Sequence, residues 1–323
     1  MAVAKANGSV DRFCLMDFQL RNIPVLSRIG ADRADEVRTD IDAAIAGWAS
    51  ALLMRVDARN QVMVVDGEVV LNPAIEYSAR LPDDAVFLGR LDTGHHVWAV
   101  RAPLPGPSGP SSGAPQVVDP RRTSSPFSDV SAHLVSAALA LLNWHDNARF
   151  SAVDGARTRP IRAGWARRDP VSGLEEFPRI DPAVICLIHD GADRAVLARQ
   201  AVWPPRMFSL IAGFVEAGES FESCVVRETA EEIGLEVTGV RYLGSQPWPF
   251  PRSLMVGFEA IADPDQQFVF RDGEIAEAAW FTRAEVRQAL SAGDWSSTAP
   301  APLLLPGSIS IAREIIESWA FSG

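Results

Sequence analysis

Residues 213–235, GFVEAGESFESCVVRETAEEIGL, constrain this chain more than any other stretch, because they place three carboxylates on one face of one helix. Glu228, Glu231 and Glu232 stand at i, i+3 and i+4, which makes them neighbours on a helical surface. Like charges that close destabilise an isolated helix, so the pattern makes physical sense when divalent cations neutralise it. The donors are hard oxygens, which favours Mg²⁺ or Mn²⁺ over zinc. Such cations keep part of their water shell and take phosphate oxygens, so the chemistry indicated is metal-assisted attack of water on a phosphate. Gly213 and Gly218 bracket the turn from a strand into the helix, Ser220 is placed to cap it, and Glu222 lies in its first turn where the macrodipole favours an anion. Gly234 suits the left-handed residue that ends many helices. Most charge runs are merely solvated faces, but here a glycine-bracketed turn, a lone arginine and the acidic trio coincide.

The stretch resembles the Nudix box, G-x5-E-x7-R-E-U-x-E-E-x-G-U, where U is a bulky apolar residue. Gly213, Glu219, Arg227, Glu228, Glu231, Glu232 and Gly234 all match, and Thr229 stands where the pattern has an apolar residue. The resemblance implies that Glu228, Glu231 and Glu232 bind metal and that Glu232 helps activate water. Glu231 and Arg227 complete the implied catalytic set, Arg227 through a structural pair with Glu219.

A second motif lies downstream. Ser245–Ser253 reads SQPWPFPRS, three prolines alternating with two large aromatics. Each proline fixes φ and removes a donor, which predicts a stiff loop between 242–244 and the strand-like 254–262. Read alone, this is a proline-rich turn anchored by aromatics. Following a Nudix box, it resembles the substrate motif of the NADH pyrophosphatase (NudC) family. That likeness implies substrate contacts from Gln246, Pro247, Trp248, Pro249, Phe250, Pro251, Arg252 and Ser253. It also implies a backbone carbonyl of Ala212 on the metal, a further carboxylate from Glu274, an aromatic at Phe214 to stack on a base, an aromatic at Phe177 and a small residue at Ala312. The implied reaction is Mg²⁺- or Mn²⁺-dependent hydrolysis of NADH, NAD⁺ and NADP(H) to a nicotinamide mononucleotide and AMP (or its 2′-phosphate), and removal of NAD caps from RNA 5′ ends, by a homodimer. The alternatives are a Nudix hydrolase of ADP-ribose or an oxidised nucleotide, and a non-catalytic NAD(H) sensor.

One departure from the family is plain. Its members carry a four-cysteine zinc ribbon, whose Cys-x2-Cys pairs become Ser151/Asp154 and Asp169/Ser172 here. The spacing survives without the thiolates, and oxygens make a poor structural zinc site. The expectation is a ribbon without structural zinc, held by packing that involves Trp144, Phe150, Trp165 and Phe177.

The fold class implied is α/β: an α/β/α Nudix sandwich over 178–323, preceded by a cysteine-free ribbon subdomain with a leading helix (128–177) and an N-terminal α+β domain (1–127). Within the last, VMVVDGEVVL (62–71) carries an Asp66-Gly67 hairpin signal, and 103–115 reads as a Pro/Gly/Ser linker. His95 and His96 lack partner carboxylates or cysteines and read as structural. The net charge of −11 argues against a general nucleic-acid groove, although a capped RNA end remains compatible. No apolar run is long enough to span a bilayer, and no secretory h-region is present. With scattered Cys14, Cys186 and Cys224, these features predict a cytoplasmic protein with no membrane partner.

Overall fold

The computed structural model describes residues 18–105, 113–123, 127–271 and 273–322. Cys14 and the middle of the 103–115 segment lie outside the described residues.

The N-terminal half is built on a four-stranded sheet in the order Asn72–Pro73, Leu52–Val56, His96–Arg101, Val86–Arg90. The Asp66-Gly67 hairpin forms as its sequence dictates: both residues adopt positive φ (50° and 83°), and Val65 pairs with Glu68 across the turn. The helix Asp129–Asn147 is capped by the Ser128 side chain, and its buried Leu134, Val135, Leu139 and Leu142 join the core of that half.

The C-terminal half is an α/β/α sandwich. Its main sheet runs Val237–Trp248, Ser253–Ala262, Asp181–His189, Arg194–Gln200, Ile275–Thr282, with the short strand Ile211–Phe214 also pairing to Asp181–His189. Alternation along Asp181–His189 sends Val184, Cys186 and Ile188 to the face covered by the helix Phe221–Glu232. Ile185 and Leu187 face the other way, under the helices Arg283–Ala292 and Ile311–Ala320. Asp181–His189 meets Arg194–Gln200 in register only at His189 and Ala195, while Ile211–Phe214 pairs with its opposite end, Ala183–Cys186. The segment 209–214 fills the gap that this splaying leaves, Ser209 bonding Ala198 on one side and Ile211–Phe214 pairing with Asp181–His189 on the other. Cys224 is fully buried beneath the helix, and its thiol is pushed up to about 12 by burial and by Glu219, so it acts as a core residue. Among the described residues no helix is long and apolar enough to cross a membrane.

Two expectations need correction. The SQPWPFP segment is strand as far as Trp248: Gln246, Pro247 and Trp248 pair with Met255, Leu254 and Ser253. Prolines are tolerated there because Val237–Trp248 is the edge strand of the sheet, and only residues 249–252 form the turn. The ribbon, a three-stranded meander of Arg159–Ile161, Ala166–Arg168 and Glu175–Glu176, also holds differently from the expectation. Phe150 and Phe177 are 62% and 60% exposed and contribute no core. Trp144 and Trp165 do pack. The Trp165 indole N–H donates to the Phe87 carbonyl at 2.7 Å, while Arg38 and Arg33 lie over its ring at 4.5 and 5.3 Å. Arg167, buried, bonds the Thr158 hydroxyl and carbonyl and His145, whose other ring nitrogen meets the Gly164 carbonyl. The ribbon is thereby keyed to the N-terminal sheet and to the long helix.

The four former ligand positions do not suit zinc. Asp169 accepts from the backbone N–H of Val171 (2.8 Å) and Ser172 (3.2 Å) and from the Ser172 hydroxyl, and its carboxyl also meets that of Asp154. Asp154 accepts from the Ala156 N–H at 3.0 Å, and the Ser151 hydroxyl accepts from the Val153 N–H at 3.2 Å. Each knuckle is closed by a side-chain-to-backbone turn, with hard oxygens already engaged.

Candidate active site

The helix Phe221–Glu232 begins where the sequence indicates. The Ser220 side chain accepts from the Ser223 N–H at 3.2 Å, and after Glu232 the chain leaves the helix through Gly234 at φ 75°. Gly218 turns at φ 85°. Gly213 has a different purpose. A Cβ there would lie 1.9 Å from the Glu228 carboxyl carbon, so with Glu228 placed as it is the strand has no room for a side chain at this position. The first glycine of the box thus makes room for one of its carboxylates.

Arg227 organises the acidic groups. Its Nε and Nη2 donate to the two oxygens of Glu219 at 2.8 Å each, and Nη2 also donates to the Phe214 carbonyl at 3.0 Å. Nη1 reaches Glu228 (2.9 Å) and Glu231 (3.0 Å). The Arg227 contact, with a backbone N–H from Glu216, pulls Glu219 down to about 2. Glu228 is shifted the other way. Burial raises its carboxyl above the ordinary range and outweighs Arg227, with the charges of Glu231 and Glu274 adding to the rise. Glu274 lies within electrostatic reach of the trio, its carboxylate held by Gln200 Nε2 at 2.7 Å. Glu232 is buried at 3% exposure.

Among the described residues no three acidic, His or Cys groups converge tightly enough to hold a metal ion by themselves; Arg227 stands between two of them. The donor set nevertheless suits a hard divalent cation: all oxygens, one carboxyl destabilised by burial and like charge, and a strand kept bare at Gly213 to make room for that carboxyl.

Glu232 opens onto a cavity of about 300 Å³ lined by residues of the sheet and of the 306–312 segment. Of the residues named from sequence, Ala212, Glu232, Trp248 and Ala312 line it. Phe214 and Phe177 sit outside it, each 60% exposed. Gln246 is fully buried, its amide donating to the Ile309 carbonyl at 3.0 Å. Phe250 packs edge-on to Trp248 at 4.9 Å and against the N-terminal core. The turn after it is tied to the long helix by Asn143, whose Nδ2 donates to the Pro249 and Pro251 carbonyls. Arg252 bonds Asp181 at 2.7 Å, and Ser253 opens the next strand. Pro247 keeps the edge strand in register.

Three wall residues carry no signal in the sequence. Trp203 and Trp295 meet at 4.8 Å, and Arg121 arrives from the N-terminal half with its guanidinium over Phe250 at 5.6 Å. The position of Arg121 follows from the docking of the two halves and those of Trp203 and Trp295 from long-range packing within the C-terminal half, and no local pattern announces them.

A NUDIX domain model matches residues 179–299. The NAD-capped RNA hydrolase NudC of Mycobacterium bovis (strain BCG / Pasteur 1173P2) is 68% identical over 305 residues, which cover 94% of this chain and 97% of that protein. The protein of the same name from Mycobacterium tuberculosis (strain ATCC 25618 / H37Rv) is 68% identical over the same extent. The mitochondrial NAD(P)H pyrophosphatase NUDT13 of Mus musculus is 40% identical over 198 residues, 60% of this chain and 56% of that one. A match of that depth runs from the N-terminal half through the cysteine-free ribbon and the box, and it assigns this chain to the NudC family of Nudix hydrolases.

Proposed function

We propose that this chain is a divalent-metal-dependent pyrophosphatase that hydrolyses NADH, along with NAD⁺ and NADP(H), to a nicotinamide mononucleotide and AMP (or, from NADP(H), its 2′-phosphate), and that removes NAD caps from RNA 5′ ends. The observation that carries the proposal is Glu232, a buried carboxylate at the end of the box helix that opens onto the cavity shared by Ala212, Trp248 and Ala312. Support comes also from relatives whose names state NAD-capped RNA hydrolysis and NAD(P)H pyrophosphatase activity.

Glu228, Glu231, Glu232 and Glu274, with the Ala212 carbonyl, would hold Mg²⁺ or Mn²⁺, which would polarise the diphosphate and lower the pKa of water. The side chains supply the rest. Arg227, fixed by Glu219, holds Glu228 and Glu231 at set positions on the helix face. Water adds to a phosphorus of the diphosphate, the bond to the bridging oxygen breaks, and the water proton passes to the Glu232 carboxylate. The apolar cavity walls and the exposed rings of Phe214 and Phe177 take the bases. Residues 178–323 form the hydrolase domain in this reading. A homodimer in the cytoplasm completes it, and sedimentation and cell fractionation test those two points.

NADH hydrolysis with Mg²⁺ or Mn²⁺ by wild type and Glu232→Gln is the test, with the products resolved. The expected result is AMP and reduced nicotinamide mononucleotide from wild type, and kcat lower by about 10²–10⁴ in the variant. Tight NADH binding without turnover in both proteins would refute it and leave a sensor. Preference for ADP-ribose in competition would refute the substrate.

A further inference from the structure

The chain as a whole is acidic, yet its ribbon is not. Between residues 149 and 179 there are seven arginines and four acidic residues, in a protein with 30 basic and 41 acidic side chains. Folding sorts these arginines onto one surface. Phe150 and Arg157 are bridge partners across the first knuckle, and Arg157 and Arg159 flank the buried Thr158, so period-2 alternation sends both to the outer face. In the antiparallel register Arg159 stands directly opposite Arg168, an arrangement of like charges that costs stability unless an anion relieves it. All three are exposed, and neither Arg157 nor Arg159 has an acidic partner among the described residues. Arg168 shares Glu175 with Arg162, and Arg162 in turn lies 6.0 Å from the ring of exposed Phe177. Burial beside Arg149 and Arg157 lowers the pKa of Arg167, a sign of how crowded with positive charge the ribbon is.

The surface therefore alternates exposed rings and guanidiniums, Phe150 with Arg157 and Phe177 with Arg162, joined by Arg159 and Arg168. Aromatic faces interleaved with cations are the chemistry of single-stranded nucleic acid binding, where bases stack and phosphates pair with charge. Its position fits. From Phe177 the chain passes Arg179 and Asp181, the latter bonded to Arg252, and enters the strand whose Ala183 pairs with Phe214 beside the acidic helix. Six residues of extended chain span at most about 20 Å, a reach of a few nucleotides.

We propose that this outer face of the cysteine-free ribbon binds the single-stranded RNA that follows an NAD cap, leading it away from the active site. The inference rests on the pyrophosphatase reading above, and it assigns the ribbon a substrate-binding purpose in a protein whose overall charge disfavours RNA.

The test compares one enzyme on two substrates, NADH and a 5′-NAD-capped single-stranded RNA, at about 50 and 200 mM salt. Wild type is set against Arg157→Glu/Arg159→Glu and against a control that makes the same charge change at Arg59 and Arg80 on the N-terminal half. The expected result is a loss of about tenfold or more in kcat/KM on capped RNA at the lower salt, with NADH turnover unchanged, only in the ribbon variant. The log–log salt dependence on RNA should become shallower by about 0.7 for each phosphate contact removed. Equal ratios of RNA to NADH activity in wild type and ribbon variant would overturn the proposal, as would an equal loss in the control. If the ribbon variant loses both activities, binding of uncapped RNA to the wild-type protein decides the matter, and affinity that does not fall with salt overturns the proposal. Wild type that fails on NADH itself would sink the pyrophosphatase reading instead, so the two failures are distinguishable.

Discussion

The acidic helix and the ribbon both carry acidic residues at metal-ligand spacings, and the structure uses them in opposite ways. In the helix, Glu228, Glu231 and Glu232 project from one face toward a strand kept bare by Gly213 and a cavity reached by Glu232, with Arg227 as their only strong counter-charge drawn from that helix. In the ribbon, Asp169 and Asp154 fold back onto the N–H groups of the next two or three residues. Spacing is therefore not the same as capacity to bind. A carboxylate whose lone pairs are committed to its own turn closes that turn as the metal otherwise would, whereas carboxylates crowded on a helix face need an external cation.

The most severe way to break this comparison is removal of divalent metal. Exhaustive chelation should abolish NADH hydrolysis, with recovery on adding Mg²⁺ or Mn²⁺, and should leave the thermal transition of the ribbon in place. A chelator-induced loss of ribbon structure, or stoichiometric zinc lost on mutating Asp169, would show that its oxygens do hold a metal. Next comes Gly213→Ala. The added methyl must displace the Glu228 carboxylate, and a shift of about 1 Å in a reacting group costs on the order of 10² in rate. The expected outcome is a fall of that order in kcat with little change in Tm; a variant as active as wild type would mean the strand yields instead.

On the ribbon side, Trp165→Ala should destabilise by about 3 kcal/mol, because the indole fills the joint between ribbon and N-terminal sheet, and denaturant unfolding measures it. A cost below about 1 kcal/mol would show that the ribbon is held elsewhere. The smallest effect expected is on pH dependence. The hydrogen bond from Ser172 and the Val171 N–H hold Asp169 below its ordinary 3.8, so its contribution is fully present above that value and fades as pH falls through the lower folded-state pKa. Asp169→Asn should lose stability at neutral pH and show a flatter decline in Tm in acid than wild type. Parallel acid limbs in the two proteins would remove Asp169 from the account.

Much of the box was legible because its logic is local. Helical period, a cap at Ser220, a left-handed Gly234 and an Arg227–Glu219 pair eight residues apart are all consequences of near neighbours along the chain. The ribbon's loss of thiolates was equally plain, but what holds it was only half legible. Trp165 and Phe150 look alike in sequence as aromatics near a knuckle, yet only the docking of the N-terminal sheet gives Trp165 the Phe87 carbonyl to bond. The proline motif misled for a related reason. Proline excludes an interior strand, and nothing local says that the strand in question is at the edge.

The sequence by itself determined the chemistry: hard oxygen donors on one helix face, a family-specific motif after it, and a ribbon stripped of zinc ligands. Those are properties of residue type and short spacing, governed by covalent geometry and charge. The tertiary structure decided where that chemistry opens to a substrate. The cavity exists because strands of the sheet and the 306–312 segment meet at one place, Arg121 joins its wall because the halves dock, and scattered arginines become a face because a meander brings Arg159 opposite Arg168. Long-range packing sets such proximities, since burying apolar surface selects which distant segments touch, and no window of the sequence contains that information.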